Sequence, residues 1–333
     1  MKYINMKVSN LGERKIIELI WSIMEKDGHL LNQLMPPPDD ASAIKFNKNY
    51  FILKTDMFVK MTDAPKGMRP EHMGYKVVTM NISDMAAKGA RPIAFMFSLG
   101  LPRNYSIKNL KRLIIGISKK AKEYGVKILG GDVGESKDLI ISGFVFGIAK
   151  KIIKRSGASP GDIIAVTGNF GDTAAAYKIL LEGYKAPKKL RRILCKKIYN
   201  PEARLNLGIK LAEANIVSSS MDSSDGLAFT LNELSKSSNV CFKIYNIPIS
   251  KEAMEFAKLH SLDPINLALY GGEEYEIVFT IKKDYWEEAL KIAKENKCNL
   301  IKIGEVERGK GVIFVKESEE IIIPSKGWEH LKS

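Results

Sequence analysis

Two hydrophobic periods alternate along the chain. Over Glu71–Lys88 the apolar residues Met73, Val77, Met80 and Ile82 recur at helical spacing, and Gly89 supplies a stop. Ile93–Leu99 is an apolar run with the length of a strand, closed by Gly100-Leu101-Pro102. Ser106 is placed to cap a helix running to about Tyr124, with Gly125 beyond its end. Val126–Leu129 then reads as a buried strand leading into Gly130-Gly131-Asp132, and Leu139–Ala149 as another strand. Upstream, Ala43–Phe46 and Tyr50–Lys54 flank Asn47-Lys48-Asn49, a hairpin signal.

The segment Lys150–Pro160 is polar and runs into Ser159-Pro160-Gly161, a turn signal, so a boundary is expected between residues 1–150 and 151–333. The alternation restarts beyond it. Asp162–Val166 predicts a strand, Gly168–Asp172 opens an Ala-rich helix, two basic helices flank Pro201, and Leu227–Ser237 is a helix. Strands are expected at Val240–Tyr245, Glu276–Ile281, Leu300–Ile303 and Val312–Val315, with a helix at Asp284–Glu295. This is an α/β or α+β pair of domains.

Composition narrows the class. The 333 residues are 45% hydrophobic and 27% charged, a globular balance with length enough for two cores. There is no 18-residue apolar run and no signal-peptide core, which points to the cytoplasm and away from a membrane. Cys195, Cys241 and Cys298 are far apart and form no C-x-x-C, so zinc and redox motifs are not indicated. His29, His72, His260 and His330 form no local catalytic signature. The net charge of +14 could recruit phosphate-rich ligands, but acids and bases alternate along most helices. Lys185–Lys197 is the exception, with seven basic residues and no acid, yet Leu190, Ile193 and Leu194 make it an amphipathic helix with a solvated face. No nucleic-acid-binding motif accompanies it, so nucleic acid is not the expected partner.

The chemistry lies in the aspartates. Asp39, Asp40, Asp56, Asp84, Asp132, Asp222 and Asp225 sit in short polar stretches or near helix and strand ends. Open α/β sheets place ligands at strand ends, and magnesium takes carboxylates together with water and phosphate oxygens. Thr55 and Ser224 add hydroxyl oxygens beside Asp56 and Asp225. Asn81 and Asp84, three apart, share one helix face; an acid near a helix C-terminus opposes the macrodipole and calls for a compensating cation. Gly130-Gly131 would let backbone approach a phosphate, and the helix start after Gly168–Asp172 would favour an anion. There is no P-loop and no protein-kinase motif set. Taken singly, each Asp or Gly reads equally well as a turn residue.

In order, however, these stretches resemble the thiamine-monophosphate kinases of the aminoimidazole-ribonucleotide synthetase superfamily. The resemblance is carried by Asp39-Asp40-Ala41, Lys54-Thr55-Asp56, Met80–Pro92, Gly130-Gly131-Asp132, Arg155–Asp162, Val166–Ala175, Met221–Leu227, Gly271–Ile277 and Gly327-Trp328-Glu329-His330. It implies an N-terminal mixed-sheet domain that binds ATP and magnesium and forms a homodimer, followed by a C-terminal α/β domain. It implies magnesium ligands at Asp40, Thr55, Asp56, Asp84, Asp132, Asp222 and Asp225, with Asp56, Asp84 and Asp222 acting in catalysis through the bound ions. ATP contacts are implied at Gly130, Gly131, Arg155 and Ser224. Substrate contacts are implied at Glu273 and Trp328, whose aromatic face suits a cationic thiazolium ring. Arg155 could also be a solvated linker residue, and Trp328 a packed C-terminal anchor. The chain departs from the pattern at Pro38 (usually Gly), at Lys54 (usually Ser) and at Asp63, which stands where a substrate-contacting His is usual.

The implied reaction moves the γ-phosphoryl of ATP onto thiamine monophosphate. The nucleophile is already an anion and needs no base. Two groups of about −2 charge at roughly 4 Å repel by approximately 16 kcal/mol at an effective dielectric of about 20, which is why carboxylate-held metal is expected rather than His or Cys. Three alternatives remain open: an aminoimidazole-ribonucleotide synthetase-like enzyme, a kinase of another phosphorylated metabolite, and a non-catalytic phosphate or nucleic-acid binder. Selenophosphate synthetase would want a Cys near the N-terminus, and none precedes Cys195; the hydrogenase-maturation relative ends in Cys, whereas this chain ends Leu331-Lys332-Ser333.

Overall fold

The computed structural model describes residues 7–26, 34–35, 39–317 and 319–331; His29, the Pro36-Pro37-Pro38 run and Lys332-Ser333 lie outside them. The first half comprises α1 (Glu13–Lys26), β1 (Ser42–Phe46), β2 (Asn49–Val59), α2 (Lys60–Asp63), α3 (Pro70–Ala87), β3 (Arg91–Leu101), α4 (Ile107–Glu123), β4 (Lys127–Glu135) and β5 (Ile140–Ala149). Its sheet has the order β1-β2-β5-β3-β4. The β3–β4 pair is parallel and the others antiparallel, which is the mixed sheet expected.

The β1–β2 hairpin turns at Asn47, which takes the left-handed conformation that Asn tolerates. β2 continues past Lys54 to Val59, so Thr55 and Asp56 lie within a strand. β4 corrects the sequence reading. It runs through the glycines to Glu135 and is exposed along its whole length, where a buried strand ending at Leu129 was expected. It is the sheet edge, and apolar composition alone cannot tell an edge strand from a central one.

Helix α3 is the hinge of the architecture. Pro70 at its first turn suits helix initiation, and fourteen of its 18 residues are buried. A helix covered nearly all round lies between layers rather than on one. One side packs on the first sheet and on α4, where Gly74 and Gly116 allow close approach: a Cβ on Gly116 would overlap the Glu71 carbonyl. The other side meets the second half of the chain. There Thr79 donates to the Pro201 carbonyl at 3.3 Å, and Ser220 Oγ donates to the Ala87 carbonyl.

That half comprises β6 (Ile163–Val166), α5 (Asp172–Leu181), α6 (Lys188–Tyr199), α7 (Leu205–Ala214), β7 (Val217–Asp222), α8 (Leu227–Ser238), β8 (Cys241–Ile244), α9 (Lys251–His260), α10 (Pro264–Tyr270), β9 (Ile277–Ile281), α11 (Trp286–Glu295), β10 (Ile301–Glu307), β11 (Gly311–Lys316) and β12 (Glu319–Ile322). The second sheet has the order β12-β11-β8-β10-β6-β9-β7, parallel only between β8 and β11. β6 and β9 are buried at every position, as their unbroken apolar runs require. α6 buries Leu190, Leu194, Cys195 and Ile198 beneath its basic face. α7, read as basic, carries a single lysine and is mostly buried. Helices α1, α2, α9 and α10 and strands β7 and β12 were not anticipated. Among the described residues no helix is long and apolar enough to cross a membrane.

Candidate functional site

Three carboxylates from separate elements meet where the halves join. Asp40 precedes β1, Asp84 lies in the last turn of α3, and Asp222 ends β7. One oxygen from each lies within 4.8 Å of the others, and all three residues are buried. Ser83 Oγ donates to Asp222 at 2.7 Å, fixing it from the α3 side. Burial, with Asp40 nearby, pushes the Asp222 carboxyl up to about 7. Burial also raises Asp84 well above the usual carboxylate range, against the pull of Lys54 and aided by Asp222, Asp56 and Asp40. Like charges are thus held together in a low-dielectric pocket, an arrangement that a multivalent cation relieves.

Lysines and an arginine bound the group. Lys88 Nζ, fully buried, sits 2.7 Å from Asp39 and 2.9 Å from Asp40 and donates to the Ser220 carbonyl at 2.9 Å. Arg155 grips the same acid, with Nε and Nη2 at 2.9 and 2.5 Å from Asp40 Oδ1. Burial raises the Asp40 pKa, but Arg155 and Lys88 outweigh it and hold the carboxyl below its ordinary value. Lys54 Nζ lies 3.0 Å from both Asp56 and Asp84. It is the partner that the helix-end position of Asp84 demanded. Thr55 directs its hydroxyl to the Gly143 carbonyl at 2.8 Å, and Asn81 accepts the Asp56 N–H at 3.1 Å.

The loop before α8 continues the site. Ser224 accepts from the Glu273 N–H at 2.6 Å, Ser223 accepts from the Tyr275 N–H at 3.2 Å, and the Asp225 carbonyl accepts from Trp328 N at 3.0 Å. Glu273 and Tyr275 both take positive φ, 65° and 53°. Such non-glycine strain costs roughly 1–3 kcal/mol and collects at functional sites. Burial, with Glu13 nearby, raises Asp225 to about 6.

The residues singled out for substrate contact converge. Glu273 receives Lys76 Nζ at 2.6 Å and the Tyr177 hydroxyl. Lys76 also donates to the Asp63 carbonyl at 2.8 Å. The Asp63 side chain accepts the Val59 N–H at 2.6 Å and faces His330 Nε2 at 4.0 Å. His330 in turn packs edge-on to the half-exposed Trp328 ring, 5.8 Å between centroids. Lys76 and Tyr177 escaped the sequence reading, and Lys88 and His330 stood in stretches that carried the resemblance but were given no role. For Lys76 a signal existed: a lysine at helical spacing among Met73, Val77 and Met80 has to find a carboxylate or carbonyl.

Two expectations fare differently. Gly130, Gly131 and Asp132 lie on the exposed edge strand β4, with Asp132 opposite Ser98, outside the buried trio. Gly131 has a structural reason to be glycine, since a Cβ would overlap the Phe97 carbonyl. The anion expected at the start of α5 belongs to the protein: Glu274 accepts from Gly171 N at 2.7 Å and Thr173 N at 3.2 Å. No phosphate is needed to satisfy that helix end.

The chain matches two family descriptions, "AIR synthase related protein, N-terminal domain" over residues 38–149 and "AIR synthase related protein, C-terminal domain" over residues 159–316. It is 41% identical to the thiamine-monophosphate kinase of Pyrococcus horikoshii, covering 98% of each chain. It is 39% identical to that of Pyrococcus abyssi, covering 97% of each. Its fold superposes on that of AaThiL complexed with AMPPCP and TMP with a TM-score of 0.86 at 28% identity, covering 98% of this chain and 99% of that one.

Proposed function

The chain belongs to the AIR synthase related family, and from that membership we propose that it is an ATP-dependent kinase of thiamine monophosphate, releasing thiamine diphosphate and ADP. The observation that carries this reading is the buried group Asp40, Asp84 and Asp222 at the junction of the two halves. An oxygen-only ligand set with surplus negative charge suits a hard divalent cation, and magnesium fits it. Bound magnesium would draw the polyphosphate and acceptor phosphate together and offset their repulsion. Asp40, Asp84 and Asp222 would hold one ion, with Thr55, Asp56, Asp132 and Asp225 as ligands of further ions.

The remaining work is positioning. Gly130, Gly131, Arg155 and Ser224 are assigned to ATP. Asp63, Glu273 and Trp328 are assigned to the acceptor, with Trp328 offering an exposed aromatic face for a cationic ring. Lys76 and Tyr177 hold Glu273 in place. Since the acceptor oxygen is anionic at neutral pH, no residue has to remove a proton.

Residues 1–150 and 151–333 are proposed as the two domains, working in the cytoplasm as a homodimer. The dimer reading draws on the uncovered face and edge of the first sheet, where Met57, Met96, Ile128, Leu129, Val133 and Phe144 are exposed. Incubation with ATP, magnesium and thiamine monophosphate, followed by mass analysis, tests the assignment. Thiamine diphosphate and ADP should appear in equal amounts; ADP alone would remove the acceptor and leave an ATPase.

A further inference from the structure

Lys54 occupies an unusual place for a lysine. It shares one face of β2 with Asp56, two residues on, and reaches Asp84 on α3. Its Nζ stands 3.0 Å from Asp56 Oδ1 and 3.0 Å from Asp84 Oδ2, bridging two carboxylates from different layers. The side chain is only 18% exposed, so this is no solvated surface pair. Lys88 repeats the device across Asp39 and Asp40.

From this geometry we infer that Lys54 is a tethered cation of the carboxylate cage, taking the position that a divalent ion would otherwise hold between Asp56 and Asp84. Formal charge supports the role. Asp56 and Asp84 bring two negative charges, and Lys54 is the cation that pairs with both. Without Lys54 the Asp56–Asp84 pair has no internal counter-charge. An ammonium also differs in kind from a metal ion. It cannot take a phosphate oxygen into a coordination shell, but two of its three N–H groups serve the carboxylates and the third is left to donate to a phosphate oxygen. The cage thereby keeps its charge and its shape before any ion or nucleotide arrives.

The inference rests on the magnesium reading above, and the test separates the two. Mn²⁺ bound per protomer is counted by electron paramagnetic resonance with AMPPCP present. Lys54→Ser and Lys54→Met should each bind one more Mn²⁺ than wild type, while Lys54→Arg keeps the wild-type count. Unchanged counts in Ser and Met variants that retain the wild-type circular dichroism would overturn the role. Anomalous scattering from wild-type crystals holding Mn²⁺ and AMPPCP provides a second measure that needs no variant to fold. It should show Lys54 Nζ, and no manganese peak, between Asp56 and Asp84. A peak there with Lys54 turned away defeats the inference and leaves the magnesium reading standing. No Mn²⁺ bound anywhere in the wild type defeats both.

Discussion

Asp84 combines three demands at one residue: burial, the negative end of a helix, and neighbouring acids. Replacing it with the isosteric Asn removes a repulsive charge but also a ligand. Asp84→Asn should keep the native circular dichroism and lose magnesium-dependent ADP formation by more than about 100-fold; near-normal turnover would argue against the cage. Glu274 makes a different prediction. Burial, with Asp172 adding, raises its carboxyl from 4.5 to about 7 despite the backbone donors at the start of α5. The folded protein therefore holds a proton that the unfolded chain has released. The penalty is absent below about pH 4.5, grows as pH rises, and is complete above about pH 7, amounting to about 3 kcal/mol. Glu274→Gln keeps an acceptor for Gly171 and Thr173 and has no proton to lose. Urea denaturation from pH 4 to 8 should show wild type losing stability relative to this variant as pH increases; a constant difference would contradict the assignment.

At the scale of elements, α3 and α4 were legible because their periodicity and stops are both in the chain: Gly89 follows one and Gly125 the other. What periodicity did not reveal is how closely they cross. Gly116→Ala inserts a methyl group against the Glu71 backbone, which has no rotamer to give way. The helices should shift apart at a cost of about 1–3 kcal/mol, read as a lower denaturation midpoint, whereas the same change at Gly125, beyond the end of α4, meets no atom within 4 Å and carries only the strain of its φ of +69°. The Glu274 contact with α5 belongs to this scale too. A helix start that looked ready for phosphate is closed by a loop about a hundred residues further along the chain, a partner no local pattern announces.

For the whole molecule, the first sheet is covered by α3 and α4 on one face and bare on the other. Leu129 and Val133 on β4 are 69% and 65% exposed, on an edge strand with unpaired backbone groups. Burying them in a second copy would remove both liabilities. Sedimentation should find wild type as a dimer and Leu129→Glu/Val133→Glu as a monomer; a monomeric wild type would leave this face needing another partner.

The sequence by itself determined the class of chemistry. The order of Asp39-Asp40, Thr55-Asp56, Asp84, Gly130-Gly131-Asp132 and Met221–Gly226 pointed to metal and phosphate because each stretch pairs hard oxygen donors with a backbone that can turn or approach closely. It also determined most strands and helices, since burial of one face imposes a period on residues that are neighbours in the chain. Only the tertiary structure decided which carboxylates meet. Asp40, Asp84 and Asp222 come together because α3 lies between two layers and presents Asp84 at their junction, and the spacing of 44 and 138 residues between them carries no periodic signal. The same holds for the counter-charges. Lys76 and Lys88 look like ordinary lysines in a basic chain, and Lys54 stood out only as a departure from a pattern; they became site residues when folding took them out of water beside buried acids.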